Sequence, residues 1–418
     1  MNCSLNENSS IWNKKKENSK QTKNVRILVN DNKKIISEFN SKIKIELPKN
    51  EILNGIFHKK NNYGPQKYKG LLNKIENYKF SKFDETNHID LKPLFLKKNF
   101  IIFDKKGTII NFDYNKKIIW KKNYYSKYEK KIGPKLNFAL NKNNLIVTDN
   151  MAKFYLINLN NGNLVWSKKN DYPFNSEIKI LNDKFFVIDL KNILRCFYIK
   201  DGSECWNLPT ENTTVVSNSN NSLLIDNNEI IFNNSIGDIT AVDISTGIIV
   251  WQIPTQSSDI INDTHNFKIS KLVGDRKSIY FSNNKNEFYS IDIKNGSINW
   301  VTNIDSILTP IIMGNLIFTI SEDGFFYVIE KNNGNILKIN YIYKGYSLKK
   351  RKNITPVGFS ISYDKLYLSN SDGKLIVIEL NSGKISKNIK VSKKIISEPY
   401  IFNNNLFVIK NGSINQYD

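Results

Sequence analysis

Ala241-Val242-Asp243-Ile244-Ser245-Thr246-Gly247-Ile248-Ile249-Val250-Trp251 reads as a short apolar strand, a tight turn and a second strand ending on tryptophan. Its frame, Gly-x-x-x-Trp behind an apolar strand, recurs at Gly162 to Trp166, Gly202 to Trp206 and Gly296 to Trp300. Lys116 replaces the glycine before Trp120, and Gly334 and Gly383 are followed at the same offset by Lys338 and Lys387 instead of tryptophan. The five tryptophans from Trp120 to Trp300 fall 40 to 49 residues apart. That period belongs to propellers, where each repeat is one blade, a four-stranded antiparallel sheet.

The turns have the chemistry this reading needs. Asn161-Gly162, Asp201-Gly202, Asn295-Gly296 and Asn333-Gly334 suit hairpins between the third and fourth strands, because these residues tolerate positive φ. Four residues upstream of the glycine, Asn158, Asp243, Asp292, Glu330 and Glu379 are placed to cap turn amides. Lys106-Gly107, Asp323-Gly324, Asp372-Gly373 and Asn411-Gly412 mark the turns between second and third strands. The strands are apolar on both faces, as in sheets sandwiched between neighbours. Trp120, Trp166, Trp206, Trp251 and Trp300 are read as packing in the wedges between blades.

Strand sets predict seven blades near residues 90–122, 134–168, 174–207, 213–253, 266–302, 306–340 and 353–389. Three further strands follow at 395–401, 404–410 and 412–417. The alternating segment 41–47, Ser-Lys-Ile-Lys-Ile-Glu-Leu, is the candidate for the missing outer strand. The expectation is all-β: an eight-bladed propeller over 38–418, closed by an N-terminal strand on the C-terminal blade, which removes an exposed edge. Residues 1–37 read as a flexible polar tether and 51–89 as a connection to blade one.

Composition narrows the functional classes. The 418 residues carry 61 Lys+Arg against 39 Asp+Glu, a net charge of +22. Only four of these cations are arginine, whereas base and phosphate recognition leans on the guanidinium fork, so nucleic acid is not the expected partner. A lysine-rich surface also suits anionic headgroups. No apolar run reaches the ~18 residues of a spanning helix. Cys3, Cys196 and Cys205, with His58, His88 and His265, show no metal-ligand spacing. Cys196 and Cys205 flank the Asp201-Gly202 turn and read as buried free thiols, with a disulfide in an oxidising compartment as the alternative.

The stretch Ala241 to Trp251 resembles the Ala-x-Asp-x-x-Thr-Gly-x-x-x-Trp signature of pyrroloquinoline-quinone-type propeller repeats, and weaker copies cover nearly the whole chain. Two functional classes share it: the quinoprotein dehydrogenases, and the BamB-type propeller lipoproteins of the outer-membrane β-barrel assembly machinery. The first implies a calcium-bound quinone, a catalytic aspartate and often an adjacent-cysteine disulfide. This chain has no Cys-Cys pair, shows no calcium-type cluster and is short for that class. The second implies a non-enzymatic scaffold with no cofactor, metal or catalytic residue, and it is the expectation adopted; a propeller binding another envelope protein or a glycan is the remaining alternative.

The same resemblance implies a place and a partner. Met1-Asn2-Cys3-Ser4 before a polar tether is similar to a lipoprotein junction, with Cys3 lipidated and the protein anchored at the periplasmic face of the outer membrane, although Asn2 is not the small residue the family prefers. The partner would be a periplasmic domain of the central barrel-inserting subunit, with unfolded outer-membrane proteins as clients. Relatives place contacts on connections between middle blades, here 207–217 and 252–266. Of an Asp-x-Asp-Thr pattern only Asp263 and Thr264 are kept, and Leu208, Val215 and Val216 offer the apolar anchors of a connection that lacks the family's arginine.

Overall fold

A computed structural model describes residues 37–48, 64–81, 91–210, 221–255 and 267–418. The residues from Glu38 to Asp418 form one compact unit. Within it lie eight antiparallel sheets of four strands, seven of them running in chain order from the innermost strand outward. Blade one comprises Leu94–Phe95, Asn99–Phe103, Ile109–Asp113 and Ile118–Lys122. Blades two to seven follow at 136–169, 179–209, 223–253, 273–302, 311–341 and 356–390.

Second and third strands are almost wholly buried, and fourth strands are mostly exposed. The core therefore lies between blades. One cluster joins Phe407 and Ile409 of blade eight to Phe100 and Phe112 of blade one and Leu145 of blade two. The burial explains the two-faced apolar strands: each sheet has a neighbour on either side, so neither face is free to be polar.

The eighth blade consists of Tyr400–Phe402, Asn405–Lys410 and Ser413–Tyr417, completed by Lys74–Lys79 antiparallel to the last of these. Closure by a strand from the N-terminal side is thus as expected, but the strand is 74–79 and not 41–47. The reason is what a fourth strand requires. Its outer face meets solvent, so it needs one large inward anchor rather than apolar alternation, and Tyr78 supplies that anchor, 1% exposed and paired with Ile414. Asn77 adds side-chain hydrogen bonds to Asn415 (2.6 Å) and Ser413 (3.1 Å).

The alternating segment finds a different partner. Phe39 exchanges both backbone hydrogen bonds with Ile339 on the outer edge of blade six (3.1 and 2.8 Å). Ile45 is buried with Ile311, Met313 and Leu316, and Leu47 packs on the same cluster. Residues 38–48 form a strap over blade six. Of the expected connection 51–89, residues 64–72 lead along blades seven and eight, with Gln66 N–H on Ile361 O (2.9 Å) and Tyr68 buried against Tyr367. The expected tether, apart from Ser37, lies outside the described residues.

Candidate functional site

A ring of locks between blades holds every candidate surface in place. Each of the five blade tryptophans donates from Nε1 to a carbonyl in the turn of the following blade: Trp120 to Leu159 (2.8 Å), Trp166 to Ile199 (3.0 Å), Trp206 to Ile244 (3.0 Å), Trp251 to Ile293 (3.2 Å) and Trp300 to Lys331 (3.0 Å). The turn glycine lies on the ring. At Gly247, with φ +74°, a Cβ would come 2.8 Å from Cδ2 of Trp206, so both the backbone and the space demand glycine. Asp243 caps this turn, accepting from Ser245 N (3.0 Å) and Thr246 N (2.9 Å).

Three other residues, a tyrosine and two lysines, complete the ring. Tyr78 of blade eight reaches the Tyr114 carbonyl (2.9 Å) in the first blade's turn. Lys338 is fully buried and donates to Asn381 O in blade seven (2.6 Å) and Ile43 O in the strap (3.0 Å); burial lowers its proton affinity. Lys387 donates to Leu71 O (2.5 Å). The two lysines at tryptophan offsets thus keep the donor and lose the ring; the N-terminal strap covers Lys338, while Lys387 stays exposed.

The fourth strand bulges at the residue before the tryptophan, and in blade three that residue is Cys205. It contacts Cys196, which pairs with Trp206; both are free thiols, and burial pushes the Cys196 thiol up.

The expected partner connections leave blades three and four on one rim. Their stems converge on the neighbouring turns. Thr210 Oγ1 donates to Asn192 O (2.8 Å), while Asn192 Oδ1 accepts from Ser235 Oγ (2.7 Å), Ser235 N (3.1 Å) and Asn221 Nδ2 (3.3 Å). Thr255 Oγ1 donates to Gly237 O (2.6 Å), and Tyr289 OH donates to Thr255 O (3.1 Å). Beneath them Arg195 is buried between Asp189 (2.8 Å) and Glu204 (2.9 Å), whose carboxylates hold its charge. Leu208 belongs to the strand Glu204–Pro209, opposite Leu194 and half-buried against that blade's core, rather than to the connection. Val215, Val216, Asp263, Thr264 and Cys3 lie outside the described residues.

Sequence reasoning missed the mouth of the central channel. Glu177 precedes the innermost strand of blade three and Lys271 that of blade five, and the two meet at 3.2 Å. Lys179 reaches the other Glu177 oxygen at 3.3 Å. Burial pushes the Glu177 carboxyl up, but the Lys179, Lys271 and Lys92 ammonium groups outweigh it and hold the group well below the usual carboxylate range. A legible signal existed in the pairs Ser176-Glu177, Ser270-Lys271 and Ser397-Glu398, each just ahead of an innermost strand. Among the described residues no group of three or more His, Cys, Asp or Glu side chains converges as a metal site, and no helix is long and apolar enough to cross a membrane.

The family model described as outer membrane protein assembly factor BamB matches residues 105–340. No curated protein matches the chain in sequence. Among solved structures, BamB from Moraxella catarrhalis is similar with a TM-score of 0.65 at 15% identity, over 83% of this chain and 98% of that one. A europium-containing methanol dehydrogenase gives 0.66 at 10% identity, over 83% and 87%. The computationally designed Ika8 protein gives 0.64 at 11%, over 82% and 99%. At such identities the structural likeness shows the propeller and nothing finer.

Proposed function

This chain belongs to the family of the outer membrane protein assembly factor BamB, and from that premise we propose that it is a non-enzymatic scaffold of outer-membrane β-barrel assembly. Its partner in this reading is a periplasmic domain of the central barrel-inserting subunit, with unfolded outer-membrane proteins as clients and a lipid on Cys3 holding it at the membrane. The observation that carries the reading is the paired anchoring of the two middle-blade connections, whose stems are pinned to the turns at Asn192 and Gly237 on one rim. Rigid stems suit a binding platform, because residues already held in place lose less entropy on docking.

The channel mouth speaks against the quinoprotein alternative. A planar quinone needs a flat apolar or aromatic slot, whereas among the described residues the side chains seen to meet here are ion-paired Glu177, Lys179 and Lys271. They do not fit one.

Photo-crosslinking residues placed at 215, 216, 263 and 264 in cells test the scaffold. Crosslinks to the barrel-inserting subunit are expected, and the double change Asp263→Ala, Thr264→Ala should weaken binding about tenfold or more, as for interface anchors. Crosslinks confined to other surfaces, or quinone-dependent dye reduction by the purified protein, would overturn the reading. Globomycin treatment should shift the protein's mobility if Cys3 is processed as a lipoprotein, and an unshifted band removes the anchor.

A further inference from the structure

The bulge before each locking residue sets two side chains against one another across the third and fourth strands. In blade five, Ser290 pairs with Trp300 and Ile291 with Ile298, leaving Asn299 as the extra residue opposite Ser290. These two side chains touch, Asn299 Nδ2 donating to Ser290 Oγ at 3.1 Å. In blades two, four and six the same two positions are both apolar: Leu156 with Val165, Ala241 with Val250 and Val328 with Leu337. Blade one, with Asn111 and Ile119, and blade seven, with Val377 and Ser386, mix the types. Even there Ser386 Oγ reaches the Val377 carbonyl (3.4 Å).

Blade three carries two cysteines at these positions. Counted from the Asp201-Gly202 turn, Phe197 pairs with Glu204, which brings Cys205 next in line with Cys196; counted from the far side, Cys196 pairs with Trp206. Cys205 is therefore the bulged residue facing Cys196, and both belong to the same apolar cluster. The two thiols interact, and burial pushes both of them up. Cys196 is fully buried, whereas Cys205 is half-buried. The bulged position faces outward in other blades too, with Val165 54% and Val250 49% exposed, so Cys205 is the thiol that a reagent can reach.

We propose that Cys196 and Cys205 are a modification site: a disulfide oxidant joins them across the bulge and staples the outer strand of blade three to its neighbour beside Trp206. The Cys205 thiolate attacks one sulfur of the oxidant's disulfide and expels the other as a thiolate. Cys196, deprotonated in turn, attacks Sγ of Cys205 and expels the second. Two thiols lose two protons and two electrons, and the oxidant's disulfide takes them up as a dithiol. The stapled strand, Glu204–Pro209, carries the Trp206 lock on Ile244 O (3.0 Å) and is the strand from which a middle-blade connection departs. The bond closes only residues 196 to 205, so it opposes peeling of that strand and leaves the ring itself unchanged. The inference rests on strand register and not on the scaffold reading.

Oxidised glutathione is the probe, added to the reduced full chain and quenched by alkylation in denaturant. The expected product is lighter than the reduced chain by two hydrogens, carries no glutathione, and gives a non-reducing peptide map joining Cys196 to Cys205. Its melting temperature should rise by a few degrees and return on reduction. Closure should quicken as pH rises, because the thiolate is the attacking species. Cys196→Ala should stop after the first step and keep one glutathione on Cys205, whereas Cys205→Ala should take up none at the buried Cys196. Both thiols still open to alkylation after prolonged oxidation, a map joining either cysteine to Cys3, or glutathione held at Cys196 in Cys205→Ala would overturn the site. The map of the wild-type chain decides the matter if a variant does not fold.

Discussion

The tryptophan at the end of a fourth strand does two separable things, filling the wedge beside it and donating to the next blade. Trp251→Ala should cost about 3–5 kcal/mol, as for a large core truncation, whereas Trp251→Phe keeps most of the packing and should cost about 1 kcal/mol for the lost bond to Ile293. Urea midpoints of the two variants check the ratio. Gly247→Ala should lie between them, since it strains a positive φ and drives a methyl into Trp206. The five tryptophans were legible as packing residues because size and spacing announce them. The stand-ins were less so. Lys338 and Lys387 sit at the right offset, but a lysine reads as surface until its carbonyl acceptor is known. Tyr78 has no preceding turn in sequence to mark its position.

For elements, the informative case is the swap between the two N-terminal segments. Clean alternation at 41–47 suggested a half-buried strand; the segment is instead irregular backbone, bridged to the sheet only at Phe39, and it packs Ile45 and Leu47 over blade six, where no tryptophan occupies the wedge. Lys74–Lys79, read only as part of the connection 51–89, carries no apolar alternation because a fourth strand has one inward side chain of consequence. Deletion of residues 1–48 should therefore leave a closed, monodisperse propeller that melts lower, by an amount reflecting about 1.5–3 kcal/mol for the burial of Ile45. Deletion of residues 1–80 should instead bare the edge of Ser413–Tyr417 and give self-associating material. Size-exclusion chromatography and melting curves separate the outcomes, and oligomers from the shorter deletion would contradict the assigned closure.

For the whole molecule, the ring count was readable because every blade repeats one local pattern. The charges that meet at the axis were not, since Ser176-Glu177 and Ser270-Lys271 are far apart in sequence and in blades that do not touch side by side. Their effect should show in acid. The Glu177 carboxyl is held below its ordinary value of 4.5, so its contribution is full above that pH and is lost as pH falls towards the folded value. Glu177→Gln should cost about 3 kcal/mol at pH 7, with the gap to the wild type narrowing below pH 4.5 in urea titrations. The strap has a consequence of another kind. Chain traction arriving from the amino terminus meets the Phe39–Ile339 and Ile43–Lys338 contacts before it can reach Lys74–Lys79. Blade six bears the load, as a cleat bears a mooring line, and the seam that keeps the ring shut stays slack.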